Sequence, residues 1–307
     1  MFALPAGLAG LRLDQALAKA LPQYSRARLQ DWIRTGAVTV NGRLPRTRDL
    51  VAGEEEVRIK AEIAAVGHVA SDPMALEVLW GDSDLMVINK PAGLVVHPGA
   101  GNARNTLQNG LLAYDPSLAR VARAGIVHRL DKDTSGLLVV ARTPEAHTAL
   151  VAALAERQIR RGYVALSMGV MTGGGTVDEP IGRHRSLRTR MAVRADGRAA
   201  VTHFRIMRRF RAHTLVSVRL ETGRTHQIRV HLAHLGFPLV GDPVYGGRRR
   251  LPPGASLELT AVLNGFKRQA LHAAHLALKH PFTGEELSWE APLPADFASV
   301  LAALDAG

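Results

Sequence analysis

An α+β fold is predicted for this chain, with a central mixed, mostly antiparallel sheet preceded by a small α/β module. Three observations predict it. Strand-length apolar runs succeed one another through the middle of the chain without the regular strand–helix alternation of a parallel sheet. A separate apolar pattern over about residues 11–60 is followed by residues 61–75, AEIAAVGHVASDPMA, which have no strong period and contain Gly67 and Pro73, as a linker does. Finally, 307 residues with a 47% hydrophobic content are enough for one large or two ordinary domains. The expected division is 1–70 and 71–307.

In the first module Leu13, Leu17 and Leu21 recur at helical spacing and Pro22 ends the helix. Ser25 is placed to cap a second helix running through Leu29 and Ile33 to a C-terminal Gly36. Val38 and Val40 then alternate toward Asn41-Gly42, a strong hairpin signal. Beyond the linker, strands are expected at 76–80 and 85–89 around the Gly81-Asp82-Ser83-Asp84 turn. A helix begins at Thr143, with Pro144 and Glu145 in its first turn, Leu150, Val151 and Leu154 on one face and Arg157 at its end. Further strands are expected at 161–166, 201–206, 214–220 and 225–230.

The charge narrows the function. With 39 Lys and Arg against 27 Asp and Glu, the net charge is +12, which favours a polyanionic partner. Ten arginines and one acid, Asp196, lie between Arg183 and Arg211, in the pattern of a surface that tracks phosphates. That segment is broken by Gly182 and Gly197, so it is not an amphipathic membrane helix. The absence of cysteine excludes disulfides and thiolate zinc sites. No apolar run approaches a membrane span, and a cytoplasmic protein is expected.

Nucleotide phosphoryl transfer is unsupported, because Gly173-Gly174-Gly175 is not followed by a lysine, and Gly99-Ala100-Gly101 lacks the third glycine of a dinucleotide loop. His226, His231 and His234 come without an HExxH pattern or a carboxylate pair, so polar packing and RNA contact account for them better than a metal. What remains is residues 128–142, HRLDKDTSGLLVVAR. Here Asp131 stands just ahead of the unbroken apolar run Leu137, Leu138, Val139 and Val140. A charged loop delivered by a core strand is a common place for a site. Asp133 points to the opposite face if the segment is extended, so it is a poor second carboxylate for a glycosidase-like hydrolysis.

The run His128-Arg129-Leu130-Asp131 followed by Thr134-Ser135-Gly136-Leu137-Leu138 resembles the catalytic motif of the RluA-type RNA pseudouridine synthases. NKPAGLVVHPGAG (89–101), LETGRTHQIRVHLAHLGFPLVGDPVYGG (220–247) and RQALHAAHLALKHPFTGE (268–285) extend the likeness over most of the chain after about residue 75. HPGAGN and GTVDEPIGRH (175–184) look like the branch of that family acting on the large ribosomal subunit. Residues 11–60 resemble the S4 RNA-binding domain.

The resemblance implies cofactor-free isomerisation of uridine to pseudouridine in large-subunit ribosomal RNA or a pre-ribosomal particle, by a monomer with no membrane partner. Asp131 would attack C1′ or stabilise the sugar cation, Tyr163 matches the family's active-site tyrosine, and Arg229, or else Arg224, would pair with Asp131. Arg129 would insert where the flipped nucleotide leaves the stack. The other expected RNA contacts are Lys90, as a phosphate or structural contact, Arg183 and Arg185, and Arg26, Arg28 and Arg34 of the first module, with Arg43, Arg46 and Arg48 beside them. Phe237, where relatives often have His, and Gly162, where a larger residue is common, depart from the family pattern. The rival reading is a non-catalytic RNA-binding assembly factor.

Overall fold

The computed structural model describes residues 1–21, 26–60, 69–99, 101–187, 189–247 and 251–306, with the side chains of 26–28 left aside. Pro22, Ser25, Gly67 and the side chains of Arg26 and Arg28 therefore lie outside the described residues. The chain divides into two compact units, Met1–His68 and Val69–Gly307.

In the first unit, β1 (Phe2–Ala3), β2 (Val38–Val40) and β3 (Glu56–Ile59) form an antiparallel sheet in the order β1-β3-β2, beside α1 (Leu13–Ala20) and α2 (Arg26–Arg34). Leu13, Ala16 and Leu17 of α1 meet Leu29, Trp32 and Ile33 of α2 over Val38 and Val57, so the helical and strand periodicities close one core. Asn41 and Gly42 both take positive φ, 48° and 76°, as the tight hairpin turn requires.

The second unit is built on β4 (Glu77–Gly81), β5 (Leu85–Lys90), β6 (Ser135–Ala141), β7 (Arg160–Met168), β8 (Gly175–Asp178), β11 (Val201–Arg209), β12 (His213–Leu220), β13 (Leu271–Lys279) and β14 (Glu286–Glu290), with β9 (Ile181–Arg183) and β10 (Met191–Val193) forming a separate hairpin. The order is β4-β5-β6-β13-β7-β12-β11-β8, and β14 also pairs with β13. Only β6 and β13 run parallel, so the sheet is mixed and mostly antiparallel.

Its helices are α3 (Leu107–Tyr114), α4 (Pro144–Ala155), α5 (Gln227–His234), α6 (Leu257–Gly265) and α7 (Ala295–Ala306). Alternate strand residues feed opposite faces: Met86 and Ile88 join Tyr163, Val216 and Val218 on one side, while Leu85 and Val87 join Ala146 and Leu150 of α4 on the other. Leu166, Met168 and Leu215 pack against α6 and α7. Every residue of β6 is buried, which is why its sequence is a continuous apolar run rather than an alternating one.

Two expectations need correction. Residues 225–230 do not form a strand but enter α5, in which Gln227 through Leu232 are all buried. Ile228 and Leu232 face the main core while Val230 joins Ile181 and Ala200. A helix buried on several sides loses its polar stripe, and with it the 3.6-residue signal. In α4 the cap is as expected, Thr143 Oγ1 accepting from the Ala146 N–H at 3.1 Å, but Val151 is exposed while Leu150 is buried.

Candidate active site

Asp131 stands at the entrance to β6, and the loop around it is held by its own carbonyls. The Asp131 C=O accepts from the Thr134 N–H at 3.1 Å, and the Lys132 C=O from the Gly93 N–H at 3.0 Å and Lys90 Nζ at 2.9 Å. The Asp133 C=O accepts from Arg268 Nη1 at 3.2 Å. Gly136 is what lets β6 lie this close to β13: its φ is +115°, and a Cβ there would sit 2.2 Å from the Ala273 carbonyl oxygen. Behind the loop, His128 Nε2 accepts from the Val139 N–H at 3.2 Å. The backbone of Asp131 is therefore fixed before its side chain makes any contact.

Arg229 approaches from α5. Its Nη1 donates to Asp131 Oδ2 at 2.9 Å, while Nε and Nη2 donate to the two oxygens of Asp242 at 2.7 and 2.8 Å. Asp242 Oδ1 also accepts the N–H groups of Val244 and Tyr245. Burial drives the Asp242 carboxyl upward, but the hydrogen bonds and charge of Arg229 outweigh it, and the net shift is below the ordinary carboxylate range. Desolvation disfavours charge on Arg229 as well, yet the two carboxylates raise its pKa above that of a free guanidinium.

Gln227 anchors the start of α5, its Oε1 accepting from Thr222 Oγ1 at 2.7 Å and from the Arg224 N–H at 3.0 Å. His226 takes the left-handed conformation at the cap, φ 57°. Its Nδ1 lies 2.8 Å from Tyr245 Oη, which accepts the Met191 N–H, and its Nε2 lies 3.9 Å from Asp131. Burial lowers the pKa of His226 despite the nearby Asp131.

Asp131 and Arg229 open into a pocket of about 790 Å³ whose lining includes Tyr163, His128, Leu130, Arg129 and Arg224. Glu221, the other carboxylate of the lining, is held by Arg157 and by His203 Nε2 at 2.7 Å. Tyr163 is buried on β7, and burial pushes its phenol above the ordinary value, with the charge of Arg161 opposing and that of Asp131 adding to the rise. A phenol whose pKa is raised is not a ready base at neutral pH.

The expected RNA contacts divide. Arg129 is exposed at the pocket and has no ion pair among the described residues, Asp133 included. Arg224 also lines the pocket, but its Nε donates to the Ala199 C=O at 3.0 Å rather than reaching Asp131. Arg183 and Arg185 are exposed, as are Arg34, Arg43, Arg46 and Arg48 in the first unit.

Lys90 must be corrected: it is 1% exposed, and its Nζ donates to the carbonyls of Pro91, Leu94 and Lys132 at 2.7 to 2.9 Å, so it is a structural tie and not a phosphate contact. Burial pushes it down to about 7, although three carbonyl acceptors around one nitrogen match the three protons of an ammonium. Asp242 and Tyr245 were not singled out in sequence. They sit in the GDPVYGG stretch, where an acid flanked by glycines reads as a turn.

Asp82, Asp84 and His280 bring ligand-type atoms together, but His280 Nδ1 accepts the Thr283 N–H, leaving an Nε2–H that faces Asp82 at 3.1 Å. An Nε2–H facing the carboxylate presents no lone pair to a metal.

The RNA pseudouridylate synthase family model matches residues 84–234, and the S4 domain model matches residues 11–57. A ribosomal large subunit pseudouridine synthase D from Pseudomonas aeruginosa is 54% identical over 301 residues, covering 98% of this chain and 94% of the relative. The chain belongs to the RNA pseudouridine synthases.

This synthase is also 54% identical to the protein of the same name from Escherichia coli strain K12, over 95% of the chain and 90% of the relative. Among solved structures, human RNA pseudouridylate synthase domain containing 4 superposes with a TM-score of 0.58 at 29% identity, covering 75% of this chain and 93% of the other. Human RNA pseudouridylate synthase domain containing 1 gives 0.57 at 25%, covering 76% and 90%. The enzyme thus acts on RNA. No helix of the described residues is long and apolar enough to cross a membrane.

Proposed function

We propose that this synthase isomerises uridines of large-subunit ribosomal RNA, with Asp131 acting at C1′, and works as a cytoplasmic monomer without a cofactor. The observation that carries the reading is the hydrogen bond from Arg229 to Asp131 at the pocket: it directs one carboxylate oxygen toward its partner and leaves the other for the sugar. The relatives' names support the choice of RNA.

The roles follow from position. Arg129, exposed at the rim, fills the gap left when the target nucleotide is extracted, since the reacting atoms are inaccessible within a stacked strand. The flipped uridine enters beside Tyr163, whose ring packs on the base. Asp131 attacks C1′ or stabilises the sugar cation as the C1′–N1 bond breaks. The uracil turns within the pocket, C5 bonds to C1′, and the C5 proton leaves with help from the Tyr163 hydroxyl. The first unit and the exposed Arg183 and Arg185 hold the surrounding RNA through its phosphates.

The test is to map pseudouridine in large-subunit ribosomal RNA from cells with and without the protein, and then to restore the missing sites with purified enzyme. Loss of specific sites and their restoration is the expected result. An unchanged map would reject the substrate, and RNA binding without conversion would favour an assembly factor.

A further inference from the structure

Arg161 carries a buried charge that nothing among the described residues answers. It is 9% exposed, its Nε is buried without a hydrogen-bond partner, and no carboxylate pairs with it among the described residues. A buried guanidinium in this condition is costly, and such groups are normally paired with an anion. Its place in the fold says which anion. Arg161 lies two residues before Tyr163 on β7, so both side chains project from the same face of the strand, about 7 Å apart along it, and both line the pocket that holds Asp131. The guanidinium rests against the loop after β12, where a Cβ on Gly223 would come within 2.9 Å of Nη1.

His128, also in the pocket lining, is a second donor in the same state. Its Nε2 accepts the Val139 N–H, which places the proton on Nδ1, and that atom is buried without a partner. Burial and the charge of Arg161 push His128 down to about 3, so it is neutral and adds no competing cation. Of the arginines that line the pocket, Arg161 is the one that is buried without a carboxylate among the described residues, and His128 adds a neutral donor, with Asp131 as the negative group on the sugar side.

Resting on the isomerisation proposed above, we infer that Arg161 is a catalytic residue that stabilises the negative charge of the detached uracil. When the C1′–N1 bond breaks, its electron pair leaves with N1, and the uracil carries one negative charge shared among N1, O2 and O4. C5 then supplies the pair for the new C1′–C5 bond, the C5 proton departs, and N1 takes one up, so product and substrate are isomers. Charge that exists only after the bond begins to break is where a pre-placed guanidinium contributes most, because it stabilises the transition state more than the bound substrate. A phosphate contact fits less well, since RNA phosphates stay at the surface while Arg161 is on the base side of the pocket beside Tyr163.

The two uses of the cation separate with a better leaving group. Fluorine at C5 withdraws electrons and makes the uracil anion less dependent on outside stabilisation. Single-turnover cleavage of C1′–N1 is measured for wild type and Arg161→Met on matched uridine and 5-fluorouridine RNA, together with Kd. The expected result is a slowing of about a hundredfold on uridine, a smaller slowing on 5-fluorouridine by roughly tenfold, and Kd within about threefold.

Equal slowing on both substrates would overturn the assignment, as would weakened binding at an unchanged rate, which would make Arg161 a phosphate contact. If Arg161→Met does not melt cooperatively, Arg161→Lys keeps a cation on the strand, and a smaller slowing, still greater on uridine than on 5-fluorouridine, is expected of it; equal slowing there also overturns the assignment. Wild-type enzyme that forms no pseudouridine in the uridine RNA would instead remove the underlying reading, and the role of Arg161 with it.

Discussion

Asp242 grips Arg229 through two parallel hydrogen bonds, Nε to Oδ2 at 2.7 Å and Nη2 to Oδ1 at 2.8 Å, and so leaves Nη1 as the nitrogen that meets Asp131. The side chain of Asp242 is fully buried and that of Arg229 nearly so, whereas that of Asp131 keeps 17% of its surface. The pair thus forms a rigid mount with the Asp131 carboxylate at its open end. A fork-shaped donor held on one edge has a fixed direction on the other.

This arrangement separates the two arginines that the sequence left as alternatives. Arg229→Ala is expected to lower single-turnover pseudouridine formation by roughly a hundredfold or more, because small misplacement of a reacting group is that costly. Arg224→Ala, which gives up a bond to the Ala199 carbonyl, is expected to stay within about threefold. Quench-flow rates on one RNA decide between them, and the reverse ranking would show that Arg224 holds the carboxylate during turnover.

Asp242→Asn is expected to destabilise the enzyme by about 3 kcal/mol at neutral pH, since it leaves a buried guanidinium half paired. The folded-state pKa of Asp242 is depressed, so its stabilisation is fully present above the unfolded carboxylate value of about 3.9 and is lost as pH falls through the lower folded value. Melting curves of wild type and variant should therefore differ by a constant gap near neutrality, and the gap should close only below about pH 4. A gap that persists unchanged in acid would mean that the charge of Asp242 is not what stabilises.

How much of this was legible in sequence depended on whether one residue or a pair carried the signal. Asp131 stands out in sequence because it lies in a charged loop ahead of an all-buried β6 and in a run that resembles the family's catalytic motif. Thr143-Pro144-Glu145 marked α4 because capping is a local matter. Asp242 could not be found this way, because its meaning comes from Arg229, 13 residues away across a turn. Residues 225–230 read as a strand for a related reason: α5 is buried on more than one side, and its amphipathic pattern is erased by the contacts that place Arg229. The sequence leaves Lys90 open between a phosphate contact and a structural one, since no pattern in the chain announces that three carbonyls converge on it.

Tyr163→Phe keeps the ring and deletes the hydroxyl. Burial holds this phenol protonated at neutral pH, so the role proposed for the oxygen is to relay a proton rather than to act as a standing base. The variant is expected to bind and flip RNA and to cleave 5-fluorouridine RNA, where no C5 proton exists, while releasing the C5 hydrogen from ordinary RNA at least about tenfold more slowly. Tritium release from C5-labelled RNA reads this directly, and release at the wild-type rate would leave only the packing role of the ring.

The two units have separate cores, so removing residues 1–68 should leave a folded remainder that still converts short RNA but binds structured ribosomal RNA more weakly. Binding by the full chain should weaken steeply with salt, as release of counterions from several phosphates requires. Filter binding at two salt concentrations tests both. Indifference to salt, or a remainder that does not fold, would contradict the division of labour between the units.

The central claim is that the carboxylate of Asp131 performs the chemistry, and Asp131→Asn tests it most directly because the amide nearly preserves the shape while removing the charge. Pseudouridine formed in a single turnover on large-subunit ribosomal RNA is the measurement, with RNA affinity taken on the same sample. The account predicts no detectable product alongside near wild-type binding. Measurable turnover by Asp131→Asn would contradict it.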